Sequence, residues 1–328
     1  MAELRVNHET GQGPTLVLVG PTAVGKTEIS LRIAREFNCE IVSVDSMQVY
    51  RLMDIGTAKP SLRERAGIPH HLLDVVFPDE DYDAGRFARE AQAACEEIHR
   101  RGAIPLLTGG TGLYLRAWRD GLLPTPAIDP VVRQELRHQL AAGNQAALFE
   151  ELRRVDPLTA ERIHPRDSQR LLRALEIFRS SGLSWSHYVQ HTRQGAVSGP
   201  PAPILLLGLH CERDALYRRI EQRCHVMLEQ GLREEVAKLL ALGYGAELKS
   251  MQAIGYRHLA DQLLGRCSAQ EAERVFLRDT RRYAKRQLTW FRTEAVQWYP
   301  RESGDEIMHA VAHWLAVREH TTRTVVVS

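Results

Sequence analysis

Apolar residues in this chain fall into short unbroken runs separated by longer segments of helical period. Residues 15–19 (TLVLV) form a β-branched and leucine-rich run next to glycine-containing stretches, as a strand buried on both faces requires. Similar runs at 41–44, 72–76, 104–107, 204–209 and, more weakly, 296–299 predict further strands. Helical stretches separate most of them. The one over 86–101 is followed by Gly102, suited to the left-handed turn that ends a helix, and then directly by the next run. Such alternation predicts a mainly parallel sheet with helices on both faces.

Between Pro124 and Pro203 the alternation stops. Residues 129–152 and 157–181 read as helices, and 184–203, polar and rich in Ser, Gly, His and Pro, reads as a mobile edge. This predicts a helical lobe inserted at 125–202, joined through proline-containing linkers at 124–126 and 200–203 to a core made of 1–124 and 203–328. After residue 209 the chain is predicted helical almost to its end, apart from the last strand.

Composition narrows the function without naming it. The 328 residues carry 43 Lys plus Arg against 41 Asp plus Glu, a net charge of +2, which excludes a globally basic, histone-like binder. With 44% hydrophobic and 26% charged residues the chain is of ordinary globular type. No run approaches the ~20 apolar residues of a membrane span, and MAELRVNHETGQGP has no apolar signal core, so a cytoplasmic protein is expected. Five scattered cysteines without a C-x-x-C pair argue against a disulfide framework or a zinc site, His210-Cys211 and Cys224-His225 notwithstanding.

Gly20-Pro21-Thr22-Ala23-Val24-Gly25-Lys26-Thr27 fits G-x-x-x-x-G-K-[ST], directly after the first strand and at the start of an amphipathic helix. That placement turns backbone N–H groups and the positive helix end toward a phosphate; Lys26 adds a point charge, and the Thr27 hydroxyl is placed to ligate Mg²⁺. The fold class is therefore α/β: a P-loop NTPase-like parallel sheet flanked by helices, with a helical insertion domain. The cradle alone suits ATP, GTP or a diphosphate ester. The strand at 104–107 ends in Thr108-Gly109-Gly110, not in the Asp that usually holds Mg²⁺ in nucleoside triphosphatases.

Asp45 follows the strand at 41–44 and should emerge at the carboxyl edge beside the phosphate loop, where open α/β sheets bind ligands. It is placed to assist Mg²⁺, to act as a general base, or simply to cap a turn with Ser46. Thr108 to Gly112 repeats the geometry on another strand, with Thr111 able to bond a ligand. Arg166, Arg170 and Arg173 share one side of a predicted helix, with Leu171, Leu172 and Leu175 facing elsewhere. From Ala272 to Arg292 seven basic residues stand against two acids, suiting a face that meets a polyanion. On that helix Leu277, Ala284, Leu288 and Phe291 form an apolar stripe, and Tyr283 and Trp290 are either base-stacking or core groups.

At this point the sequence resembles the tRNA dimethylallyltransferases of bacterial type. The matching segments are GPTAVGKT (20–27), DSMQVYRLMDIGTAKP (45–60), PHHLLDV (69–75), GGTGLY (109–114), QRLLRALE (169–176), SMQAIGYR (250–257) and YAKRQLTWFR (283–292). The resemblance implies that the loop from Gly20 to Thr27 holds dimethylallyl diphosphate with Mg²⁺, and that the dimethylallyl group passes to N6 of the adenosine 3′ of the anticodon. Lys26, Asp45 and Thr111 are then the catalytic candidates, with the target adenine flipped into a channel between sheet edge and inserted lobe. It further implies contacts to the tRNA anticodon stem-loop by Asp45, Ser46, Met47, Gln48, Thr111, Arg133, Gln169, Arg170, Leu171, Leu172, Arg173, Gln252, Gly255, Tyr256, Arg257, Lys285 and Arg286, in a monomer. A P-loop kinase using ATP and a nucleotide-regulated RNA-binding protein without catalysis are the competing expectations.

Overall fold

In a computed structural model of the chain, residues 13–123, 126–192 and 203–325 are described. They form two compact units, Met1–Arg119 with Gly199–Ser328, and Asp120–Ser198. The first unit runs β1 (Thr15–Val19), α1 (Lys26–Glu36), β2 (Cys39–Val44), α2 (Leu62–Arg65), β3 (His70–His71), α3 (Ala84–Arg100), β4 (Ile104–Gly109) and α4 (Gly112–Asp120). The second unit carries α5 (Pro130–Ala141), α6 (Gln145–Val155), α7 (Pro157–Ala160), α8 (Ser168–Ser181) and α9 (Trp185–Thr192). The chain then returns to the first unit with β5 (Ile204–His210), α10 (Arg213–Glu229), α11 (Leu232–Ala241), α12 (Tyr256–Leu263), α13 (Ala269–Phe291), β6 (Gln297–Pro300) and α14 (Gly304–Val325).

The sheet is wholly parallel, in the order β3-β2-β4-β1-β5-β6. Residues 15–19 are buried throughout because β1 lies between β4 and β5 with helices above and below. Register decides where the chemistry goes. Val19 and Val44 both pair with Gly109, so β1, β2 and β4 end side by side and their next residues share one edge. Each strand reaches that edge after an apolar run whose burial leaves no freedom to slip.

Four local expectations change. Residues 72–76 are not a strand: only His70–His71 pairs with β2, and Leu72 and Asp74 take left-handed φ values of 60° and 56°. Their backbone bonds instead to the 48–49 turn, Val75 N–H donating to the Val49 carbonyl at 2.7 Å. The helix expected over 129–152 breaks after Ala141, where Gly143 turns left-handed at φ 84°, and the one over 157–181 breaks around His164 and Pro165, before Asp167 caps α8. Part of the polar edge is ordered as α9, whose Trp185 packs on the second unit's core of Leu136, Leu152, Leu171 and Leu175. Residues 193–202 of that edge, and with them most of the second linker and Pro124 of the first, lie outside the described residues.

Among the described residues no helix is long and apolar enough to cross a membrane.

Candidate active site

At the shared edge the phosphate loop leaves β1 at Gly20 with φ 151°, and a Cβ there would meet the Leu209 carbonyl oxygen at 2.8 Å, so glycine is needed for the loop to lie against β5. Lys26 opens α1, and its Nζ donates to the carbonyls of Gly20 (2.9 Å) and Pro21 (2.8 Å), curling the loop around the amine. Burial and the neighbouring Arg223 guanidinium push the amine down to about 7, with Asp45 pulling the other way. A bound diphosphate would add the negative charge that this cluster lacks. Thr27 is exposed at the rim of the same cleft.

Three arginines far along the chain brace the loop from outside. Arg219 Nε donates to the Ala23 carbonyl at 2.7 Å, Arg301 Nε to that of Val24 at 3.3 Å, and Arg223 lies 3.5 Å from the Thr22 hydroxyl. The Arg223 guanidinium is held below its ordinary value by burial, against the opposing pull of Asp45. Sequence reasoning missed Arg219, Gln222 and Arg223. Their i, i+3, i+4 spacing puts all three on one face of α10 and was a usable signal.

Asp45 stands opposite the loop in a cleft of ≈ 380 Å³. Its Oδ1 accepts from the backbone N–H groups of Met47 (2.8 Å) and Gln48 (3.3 Å), so the turn-capping role is real. No hydrogen bond to Oδ2 is found among the described residues. One oxygen fixes the side chain and the other is open to chemistry. Ser46 N–H donates to the Thr111 hydroxyl at 3.2 Å, and Thr111 N–H to the Val44 carbonyl at 3.2 Å, locking the ends of β2 and β4 together. The Tyr283 phenol beside Thr111 and Gln287 is pushed up by burial and by Asp45. The Thr108 hydroxyl lines the cleft, buried and without a hydrogen-bond partner, a group left for a ligand to satisfy.

Among the described residues no cluster of three His, Cys, Asp or Glu could hold a metal. The donors present are the Thr27 hydroxyl, the free Asp45 oxygen and the Thr108 hydroxyl. That sparse oxygen set fits Mg²⁺, which keeps waters and takes substrate phosphate oxygens to complete an octahedron.

The residues expected to meet RNA divide sharply. Lys285 and Arg286 are exposed on α13 with no acid partner among the described residues, the Arg286 guanidinium lying over the Tyr283 ring at 5.7 Å. Much of the remaining basic excess of α13 is already paired: Arg274 with Glu271, Arg278 and Arg282 with Asp279, and Arg281 with Glu221. Trp290 packs against the Arg116 guanidinium at 4.5 Å, whereas Tyr283 faces the cleft. Leu171 and Tyr256 are 0% exposed, which corrects their assignment as RNA contacts: the one fills the helical unit's core, and the other is buried with its hydroxyl on Glu235 at 2.6 Å. Gln48 spends its amide on Ser43, Thr57 and Ala58, and Met47 is half-buried against the core. Gly255 is the buried start of α12, Arg257 pairs with Asp279, and Gln252 is exposed and donates to the Ala246 carbonyl.

In the second unit Arg170 and Arg173 line a cavity of ≈ 680 Å³ with Arg162, Trp185 and Gln190. Gln169 is exposed at its side of α8, Leu172 is half-buried, and Arg133 and Arg173 lie 3.4 and 3.5 Å from Glu176. Arg166 precedes the cap of α8 and so does not share the helical stripe expected for it.

Comparison with known proteins places this geometry. A family model described as IPP transferase matches residues 48–294, and one described as isopentenyl transferase matches 14–75. A tRNA dimethylallyltransferase of Desulfotalea psychrophila is 50% identical over 304 residues, covering 92% of this chain and 96% of its own. A tRNA dimethylallyltransferase 2 of Geotalea uraniireducens is 46% identical over 299 residues, covering 90% and 96%. The crystal structure of a full-length tRNA isopentenylpyrophosphate transferase from Bacillus halodurans superposes with a TM-score of 0.70 at 39% identity, over 94% of this chain and 99% of that one. A eukaryotic dimethylallyltransferase caught acting on tRNA gives 0.72 at 30% identity, over 88% and 74%.

Proposed function

The chain belongs to the tRNA dimethylallyltransferase family and transfers a dimethylallyl group to tRNA, and on that premise we propose that the donor is dimethylallyl diphosphate and the acceptor N6 of adenosine 37, beside the anticodon. The observation that carries this reading is the meeting of the phosphate loop, Asp45 and Thr111 in one cleft at the carboxyl edge of β1, β2 and β4.

The diphosphate lies on the loop from Gly20 to Thr27, where Lys26, the backbone N–H groups and Arg223 oppose its charge. The Thr27 hydroxyl would hold Mg²⁺, which would supply further neutralisation of the diphosphate charge when bound. N6 of adenine attacks the allylic carbon; its lone pair forms the C–N bond, and the C–O bond breaks with its electrons leaving on pyrophosphate. An aromatic amine is a weak nucleophile, so the free Asp45 oxygen hydrogen-bonds N6 and takes its proton. Thr111, held by Ser46, positions the acceptor.

The helical insertion, 125–202, contacts the anticodon arm through Gln169, Arg170 and Arg173, and the core, 1–124 and 203–328, through Lys285 and Arg286. The reading takes the protein as a monomer, and a tRNA substrate is in keeping with the cytoplasm. The test is incubation with unmodified tRNA and dimethylallyl diphosphate, followed by nucleoside mass spectrometry. A dimethylallyl increment on adenosine, lost when A37 is replaced, is expected. An increment elsewhere, or consumption of ATP with a phosphorylated product, would overturn the reading.

A further inference from the structure

Gln287 carries no charge and takes no part in the chemistry above, yet it is 6% exposed and uses both ends of its amide across the cleft. Its Oε1 accepts from the Thr22 backbone N–H at 2.8 Å, inside the diphosphate cradle. Its Nε2 donates to the Gly110 carbonyl at 3.1 Å, at the head of the turn whose next residue, Thr111, accepts from Ser46 beside Asp45. A Cβ on Gly110 would collide with this amide, so the turn is shaped around the Gln287 side chain. Gln287 also follows directly on the exposed Lys285 and Arg286 of α13, and Tyr283, one turn earlier, enters the same cleft.

An amide suits this place because it offers an acceptor and a donor on one planar end. A leucine would leave a buried N–H and a buried carbonyl unpaired. A carboxylate would still accept from Thr22 but would set a second acceptor against the Gly110 carbonyl.

We propose that Gln287 is a positioning residue of the transfer reaction: it holds the diphosphate cradle and the acceptor corner in register and ties both to the RNA-bearing helix, so that the two substrates bind cooperatively. The inference rests on the proposed reading of the site. A brace shared by two loops means that a ligand ordering one loop lowers the cost of ordering the other.

The experiment uses the full-length protein with unmodified tRNA and a thio analogue of dimethylallyl diphosphate that binds without transferring. Dissociation constants are measured for each ligand alone and with the other saturating, and single-turnover rates are measured with the true donor. Wild type should bind each ligand about 5-fold or more tightly in the presence of the other. At about pH 8.5 Gln287→Glu, which sets a carboxylate beside the diphosphate, should bind the donor alone more weakly, keep tRNA affinity within about 3-fold, lose the cooperativity, and transfer about 10- to 100-fold more slowly. Toward about pH 6 the introduced carboxyl, raised by burial, takes a proton and can again donate to Gly110 while accepting from Thr22. The ratio of variant to wild-type rate should therefore rise as pH falls, and that of Gln287→Leu should stay flat.

If the leucine variant does not fold, the pH response of Gln287→Glu decides alone. Cooperativity absent in wild type, intact in Gln287→Glu, or a Gln287→Glu rate ratio independent of pH would each overturn the inference while leaving the functional reading standing. Absence of any transfer by wild type would overturn both.

Discussion

Asp45→Asn separates the structural work of this side chain from its chemistry. Oδ1 holds the turn through Met47 N–H at 2.8 Å and Gln48 N–H at 3.3 Å, and an asparagine oxygen can accept both bonds. The fold and the cradle should therefore survive, with stability within about 0.5 kcal/mol of wild type. The second position changes from a proton acceptor to an NH₂ donor, which cannot take a proton from N6. Loss of a general base costs about 10²- to 10⁴-fold in rate, or about 3 to 5 kcal/mol of barrier. Asp45→Ala removes both roles and should lose a further ~1–3 kcal/mol of stability, because two N–H groups lose a charged partner. The assay is single-turnover transfer from labelled dimethylallyl diphosphate to saturating tRNA, beside urea unfolding and donor affinity. An Asp45→Asn rate within about 5-fold of wild type would refute the base assignment, because general-base losses are far larger. A loss of donor affinity matching the loss of rate would show instead that Asp45 serves the diphosphate.

Lys26→Ala should nearly abolish transfer while tRNA affinity in filter binding stays close to wild type; equal loss of RNA binding would contradict the division of labour between the loop and α13. Lys285→Ala/Arg286→Ala should flatten the salt dependence of log K for tRNA by roughly 0.7 to 0.9 for each phosphate no longer neutralised, and an unchanged slope would remove this face from the RNA surface. The Asp279 carboxyl, which burial pushes up, is nonetheless held down at about 2 by hydrogen bonds from Arg278, His258 and Arg257. Its folded value lies below the unfolded 3.8, so its contribution of about 2 kcal/mol is present above about pH 5 and disappears as pH falls toward 2. Urea unfolding of Asp279→Asn should show a flatter acid limb than wild type, and parallel limbs would show that the network contributes nothing.

The parallel sheet and the phosphate loop were legible in the chain because each rests on local chemistry. A buried strand needs an unbroken apolar run, and a loop that wraps an anion needs Gly20 and Gly25 with Lys26 behind them, all within eight residues. Asp45 and Thr111 could be placed at the same edge because strand ends in a parallel sheet share a side. The short pairing of His70–His71 was not legible, since the apolar residues at 72–76 fill the core from a turn with left-handed backbone as well as they would from a strand. Buried Leu171 and Tyr256 sit in the same segments as exposed Gln169 and Gln252, so a matching motif could not say which side chains are free to meet a partner. Only the tertiary structure brings Arg219, Arg223, Arg301 and Gln287 onto a loop roughly 200 or more residues earlier in the chain. The spacing of Arg219, Gln222 and Arg223 marks one face of α10, but nothing local says what that face meets; this follows from how the helices pack on the sheet, where burial of their apolar faces fixes which polar side chains are left facing the cleft.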